Sequence, residues 1–208
     1  SFTNLIDTGS SEQAPVTSDK SFNIALNGAE TGAVVVYEVS TDGGANWTAT
    51  TVNQSNLADG AYQFRATVTD VAGNSVASNI VSMTVDTTNP STPVVTTQSS
   101  TSTSPVVSGT AVLGAGEVLS VSINGAIYEN VAVTNGARSI NTATATPKAG
   151  TTLGAFASGS YEVVATIVDR AGNVSTDAST RELTVAPTFS VSESNGNTIG
   201  LSLFWPLM

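Results

Sequence analysis

One stretch of fifteen residues occurs twice. Residues 60–74 read GAYQFRATVTDVAGN, and residues 159–173 read GSYEVVATIVDRAGN. Eight positions are identical at a constant offset, among them Tyr62/Tyr161, Asp70/Asp169, Gly73/Gly172 and Asn74/Asn173, and Val68/Ile167 is a conservative ninth. The shared residues are chemically diverse, so low complexity does not account for them. Self-similarity at a fixed period marks a repeated structural unit. The chain of 208 residues therefore holds two copies of one module, each near the roughly 100 residues of a small domain.

Each copy reads as β-structure. Tyr62, Phe64, Ala66 and Val68 alternate with other residues, as do Tyr161, Val163, Ala165 and Ile167. Period two puts one set on the core face of a strand. Asp-x-Ala-Gly-Asn follows as a tight turn, in which Gly73 or Gly172 takes positive φ. A second strand then sets Val81, Met83 and Val85 against Ile80, Ser82 and Thr84. Asn27-Gly28, Asp42-Gly43-Gly44, Asn124-Gly125 and Asn135-Gly136 mark further turns. The composition agrees: 26 valines and 58 serines plus threonines suit pleated, half-buried surfaces. No segment has a convincing helical period, and 141–158 reads as irregular, with Pro147 and many small residues. Short strands between such turns predict an all-β fold of two tandem sandwiches. The expected division is 1–86, 87–186 and an apolar tail 187–208. The joint falls at 86–93, where Pro90 and Pro93 stiffen a short linker. In the tail Asn195-Gly196 is placed to turn a hairpin, and the end LFWPLM is too apolar to sit comfortably in water.

Charge and missing residue types exclude several functions. There are 16 Asp plus Glu against 6 Lys plus Arg, a net charge of −10. That leaves no electrostatic footprint for nucleic acid and no polybasic cluster for anionic membranes. The chain has no His and no Cys. Histidine bases, thiol nucleophiles, disulfides and zinc sites of the usual kind are thereby excluded. Lys20 and Lys148 stand in no Ser-x-x-Lys arrangement. The expectation is a protein that is not an enzyme. No apolar run approaches the roughly 20 residues of a membrane helix. The chain opens at Ser1 without a signal-peptide pattern, which reads as a fragment or processed piece.

The pattern Tyr-x-x-x-Ala-Thr-x-x-Asp-x-Ala-Gly-Asn, followed by Val85-Asp86-Thr87-Thr88-x-Pro90, resembles the bacterial Ig-like repeats of large secreted adhesins. These are the repeats-in-toxin and biofilm-associated adhesins of Gram-negative bacteria. The opening 5–11 and the stretch 109–117 resemble the linker and early part of such repeats. The resemblance implies Ig-like β-sandwiches, type I export to the bacterial cell surface, and an extender role beside neighbouring repeats of the same chain. It also implies Ca²⁺ near the junctions.

In an Ig-like sandwich the N-terminus and two of the loops share one end. Asp86, Asp169 and Glu117 are then expected together at the top of the second domain, and Asp7, Asp70 and Glu30 at the top of the first. Three carboxylates from distant segments repel one another without a cation, and Ca²⁺ takes six to eight oxygens. The competing reading is that each Asp caps its own turn through local amides. Asp42 is read as a turn residue, and Trp47 as a core or edge anchor. The second copy ends Val185-Ala186-Pro187, without a carboxylate at the linker position. Two functions follow. One is a structural spacer rigidified by Ca²⁺. The other is a ligand-binding adhesin module that recognises a glycan or host protein through exposed aromatics.

Overall fold

The computed structural model describes residues 1–6, 14–186, 189–192 and 198–201. Among them there is no helix. By spatial contact the chain divides into two compact units: residues 1–89 together with 169–173, and residues 90–168 together with 174–208.

The first unit is built from β1 (Phe2–Thr3), β2 (Val16–Thr17), β3 (Phe22–Ile24), β4 (Val34–Ser40), β5 (Thr48–Thr50), β6 (Asn53–Gln54), β7 (Gly60–Thr69), β8 (Ser75–Ala77) and β9 (Val81–Val85). One sheet has the order β1-β3-β6; the other has β2-β9-β7-β4-β5, with β8 also on β7. The alternation expected of β7 and β9 sets Phe64, Ala66, Met83 and Val85 inside, each at most 3% exposed. Phe22 and Ile24 of β3 face them across the sandwich. Phe2, Phe22 and Phe64 meet edge to face, with ring centroids 5.3–6.0 Å apart.

The second unit repeats the plan with β10 (Val94–Val95), β11 (Gln98–Ser100), β12 (Val106–Thr110), β13 (Val118–Ile123), β14 (Ala126–Tyr128), β15 (Ala137–Asn141), β16 (Gly159–Tyr161), β17 (Val163–Val168), β18 (Val174–Thr176) and β19 (Leu183–Val185). Its sheets run β10-β12-β15, β11-β19-β16 and β14-β13-β17-β18. The core is aliphatic: Val107, Leu119, Val121, Val163, Ile167 and Leu183 are wholly enclosed. Asn124 and Gly125 take φ of 45° and 89° between β13 and β14, the two-residue hairpin geometry that Asn-Gly favours. Residues 142–158 carry no strand. Beyond Ala186, β20 (Phe189–Ser192) pairs antiparallel with β21 (Thr198–Leu201). The turn at Asn195-Gly196 and the LFWPLM end lie outside the described residues.

The repeated tyrosine has a specific task. Tyr62 donates its hydroxyl hydrogen to the carbonyl of Ala58 at 2.8 Å. Tyr161 does the same to Ala157, whose amide in turn donates to the Tyr161 hydroxyl oxygen. This is the tyrosine corner of Ig-type sandwiches, which pins the loop entering β7 in the first unit and β16 in the second.

Of the two places expected for Trp47, core or edge, it takes the edge, beside β5: its ring covers the Arg65 guanidinium at 4.2 Å, and its Nε1 donates to Gly44 O. Trp47 precedes β5, which pairs with β4, whereas Arg138 lies in β15 opposite Gly109 of β12. Arg138 is buried over that glycine, where a Cβ would stand 2.2 Å from Val94 O and 2.7 Å from the guanidinium. Only a residue without a side chain fits there.

Candidate functional site

The described carboxylates gather at turns, and a single geometry recurs three times. Asp70 Oδ1 accepts the amides of Ala72 and Asn74, each at 2.8 Å, and its Oδ2 accepts Asn74 Nδ2. Asp169 repeats this with Ala171 and Asn173. Asp42 likewise holds the amide and carboxamide of Asn46, at 2.9 and 2.7 Å. In each case an Asp clamps the Asn four residues on, and glycine takes the positive φ between them: Gly73, Gly172, and the pair Gly43 and Gly44. These bonds stabilise the ionised carboxylate. The pKa of Asp70 is lowered, chiefly by the Asn74 carboxamide. That of Asp42 falls to about 2, chiefly through the Asn46 amide.

The six residues expected to bind Ca²⁺ are placed as follows. Asp86 donates its amide to Thr17 O, and its Oδ1 accepts the Thr88 amide. Its carbonyl oxygen accepts Asn173 Nδ2 at 2.9 Å, the nitrogen that also donates to Asp169 Oδ2 at 2.8 Å. Asp86 and Asp169 are thus joined through one carboxamide. Glu117 closes its own turn, its Oε2 accepting the Gly114 amide at 2.7 Å. Glu30 and Asp70 border one surface hollow of about 420 Å³, with Asn27 and Asn74. Asp7 lies outside the described residues. Among the described residues no three or more His, Cys, Asp or Glu side chains form a group fit to hold a metal. The trio of carboxylates expected at 86, 117 and 169 is therefore not assembled. Each side chain is turned to local amides instead, since a carboxylate reaches turn N–H groups close in sequence with little loop-closure cost.

Asp59 escaped the sequence reading. Its two oxygens accept the Thr87 amide at 3.1 Å and the hydroxyls of Thr87 and Thr88 at 2.8 and 3.1 Å. Its pKa is lowered, first by the Thr87 amide. It pins the segment that leaves β9. The signal was present in the repeat: the matching residues of the second copy are Ser158 and Pro187, and proline has no N–H to give. On the outer face of the β4 sheet, Arg65 Nε reaches Glu38 Oε2 at 2.8 Å, and Thr67 donates to the same oxygen. The Arg65 hydrogen bond is the main cause of a lowered Glu38 pKa.

Comparison with known proteins places the first unit in a class. Residues 2–87 match the family model of a bacterial Ig-like domain. Among solved structures the chain is similar to the fibronectin(III)-like modules of Clostridium thermocellum CbhA. The identity is 14% and the TM-score 0.40, over 83% of this chain and 87% of that one. It is also similar to the FN1–FN3 domains of chicken CNTN1, with 13% identity and a TM-score of 0.33 over 79% of this chain and 67% of that one. No curated protein matches the chain. Among the described residues no helix is long and apolar enough to cross a membrane.

Proposed function

We propose that the chain is a structural spacer of a bacterial surface adhesin, a non-enzymatic pair of Ig-like modules set in series with neighbouring repeats. The observation that carries this reading is how each unit is threaded. In the first, β2 near the entry lies parallel to β9 at the exit. In the second, β11 lies parallel to β19. Tension applied through the chain ends draws such a pair in opposite directions. The hydrogen bonds between them are loaded together, in shear, rather than one after another. Two modules of this kind in one chain suit a load-bearing fibre.

Calcium is the second part of the proposal. Asp86 O and Asp169 Oδ2 already converge on the carboxamide of Asn173, which carries an oxygen as well as a nitrogen. Those three groups are the protein oxygens that would hold the ion, with water completing a shell of about six to eight. Glu117 is committed to its own turn and stays outside this set.

Thermal melts test the calcium part. The protein is melted in excess EDTA, then in millimolar CaCl₂ or MgCl₂. Extracellular calcium modules bind at about 10⁻⁴–10⁻³ M, so saturation raises the midpoint by mass action. A rise with Ca²⁺ but not Mg²⁺, abolished by Asp169→Asn, supports the site. Equal midpoints in all three solutions remove calcium from the proposal and leave the spacer to be judged by force spectroscopy. There, strand pairs loaded in shear give high, uniform unfolding peaks.

A further inference from the structure

The two copies differ at one sheet edge. In the first unit β4 pairs along its whole length with β7, from Val34↔Thr69 to Ser40↔Gln63. On its other side β5 covers only Tyr37, Glu38 and Val39. The chain then leaves for the opposite sheet, where Val52 O accepts the amide of Ile24. Among the described residues nothing pairs with 34–36 on that side. In the second unit the matching strand is β13, with Val118↔Val168 at the same place relative to the shared turn. There β14 covers Val121 to Ile123, and the chain runs on along the edge. Val131 donates its amide to Leu119 O at 2.9 Å. Val131 and Val133 pack against the core, and Leu119 is 0% exposed. Val35 holds the register position of Leu119 but is only half-buried. Its neighbours Val34 and Val36 are 63% and 43% exposed.

We infer that the edge at 34–36 is an open strand position, which takes an extended, uncharged segment of another polypeptide with β-branched residues at alternate positions. The second unit shows what covers this position: Asn130-Val131-Ala132-Val133-Thr134, neutral and alternating. The bare edge, Val34-Val35-Val36, has none of the usual devices that block strand addition, neither Lys, Pro nor an inward charge. An added strand would donate an amide to Val35 O and lay an apolar side chain over Val35. Main-chain bonds would supply affinity and the alternating side chains selectivity. This surface is independent of the spacer and calcium readings.

The test uses the ¹⁵N-labelled full chain and a capped synthetic peptide, Asn-Val-Ala-Val-Thr. Titration to millimolar peptide should shift the amides of 33–37 saturably and leave 118–120 unmoved. Replacing both peptide valines by aspartate should weaken binding by about tenfold or more. In the protein, Val35→Pro and Val36→Lys should each weaken it, with the signals of Phe64 and Met83 unchanged. If Val35→Pro disturbs those signals, Val36→Lys alone decides. Absence of saturable shifts at 33–37, or equal shifts at 118–120, overturns the inference. So do concentration-dependent shifts at 33–37 without peptide, which would assign the edge to a second copy.

Discussion

At the scale of single residues, the aspartates act as local clamps. Asp42, Asp70 and Asp169 each hold an asparagine four positions on, through both its backbone amide and its carboxamide. At Asp42 and Asp70 this arrangement has a pH signature. The Asp42 pKa is lowered from 3.8 to about 2 in the folded chain. A carboxyl whose pKa is depressed by folding contributes stability that is complete above its unfolded value. That contribution fades as pH falls through the folded value. Asp42 should therefore titrate near pH 2 when followed by NMR. The melting temperature should fall between about pH 4 and pH 2, and Asp42→Ala should remove part of that slope. Asp59 and Asp70, also lowered, act in the same direction.

At the scale of elements, the second unit shows how a strand changes partners. β16 pairs with β19 in one sheet, and β17, one residue later, pairs with β13 in another. The change frees backbone amides on both strands. Glu182, fully buried, accepts the Val163 amide at 3.0 Å. Glu162 accepts the amide of Arg181 at 2.8 Å, where Arg181 has φ +60°. Each glutamate thus serves the strand opposite its own. In the first unit β7 continues unbroken from Gly60 to Thr69, and the matching residue is Ser82. Glu182→Ala should strand the buried Val163 amide and cost about 1–3 kcal/mol. Urea unfolding monitored in the second unit measures this. Glu162→Ala, on the exposed side, should cost less.

At the scale of the whole molecule, the two copies are unequally filled. Among the described residues the buried hydrophobic cluster of the second unit has 15 members, and that of the first has 5, with Ala66 buried beside it. Buried apolar area dominates folding stability, so the first unit should unfold at the lower temperature. Calorimetry should resolve two transitions. Phe64→Ala should lower the first by about 3–5 kcal/mol, and Leu119→Ala the second by about 2–5 kcal/mol. A single transition shifted equally by both substitutions would mean that the units unfold as one.

The β-structure, the doubling and the turns can be read along the chain without its fold. Period-two alternation, Asn-Gly pairs and the repeated Asp-x-Ala-Gly-Asn are local signals, and local sterics act on them directly. The inward set of β7 and β9 and the turns at Gly73 and Gly125 were legible for that reason. The tertiary structure alone decided which groups meet over long distances. Asp59 reaches Thr87, Glu182 reaches Val163, and Arg138 lies on Gly109 and donates to Val94 O. Nothing near these residues in sequence names the partner, because the partner is set by strand pairing. The same cause leaves the expected carboxylate trio at 86, 117 and 169 unassembled. Loop ends can be predicted to share one pole of a sandwich. Whether a carboxylate there faces its neighbours or its own turn depends on which amides the finished fold leaves free.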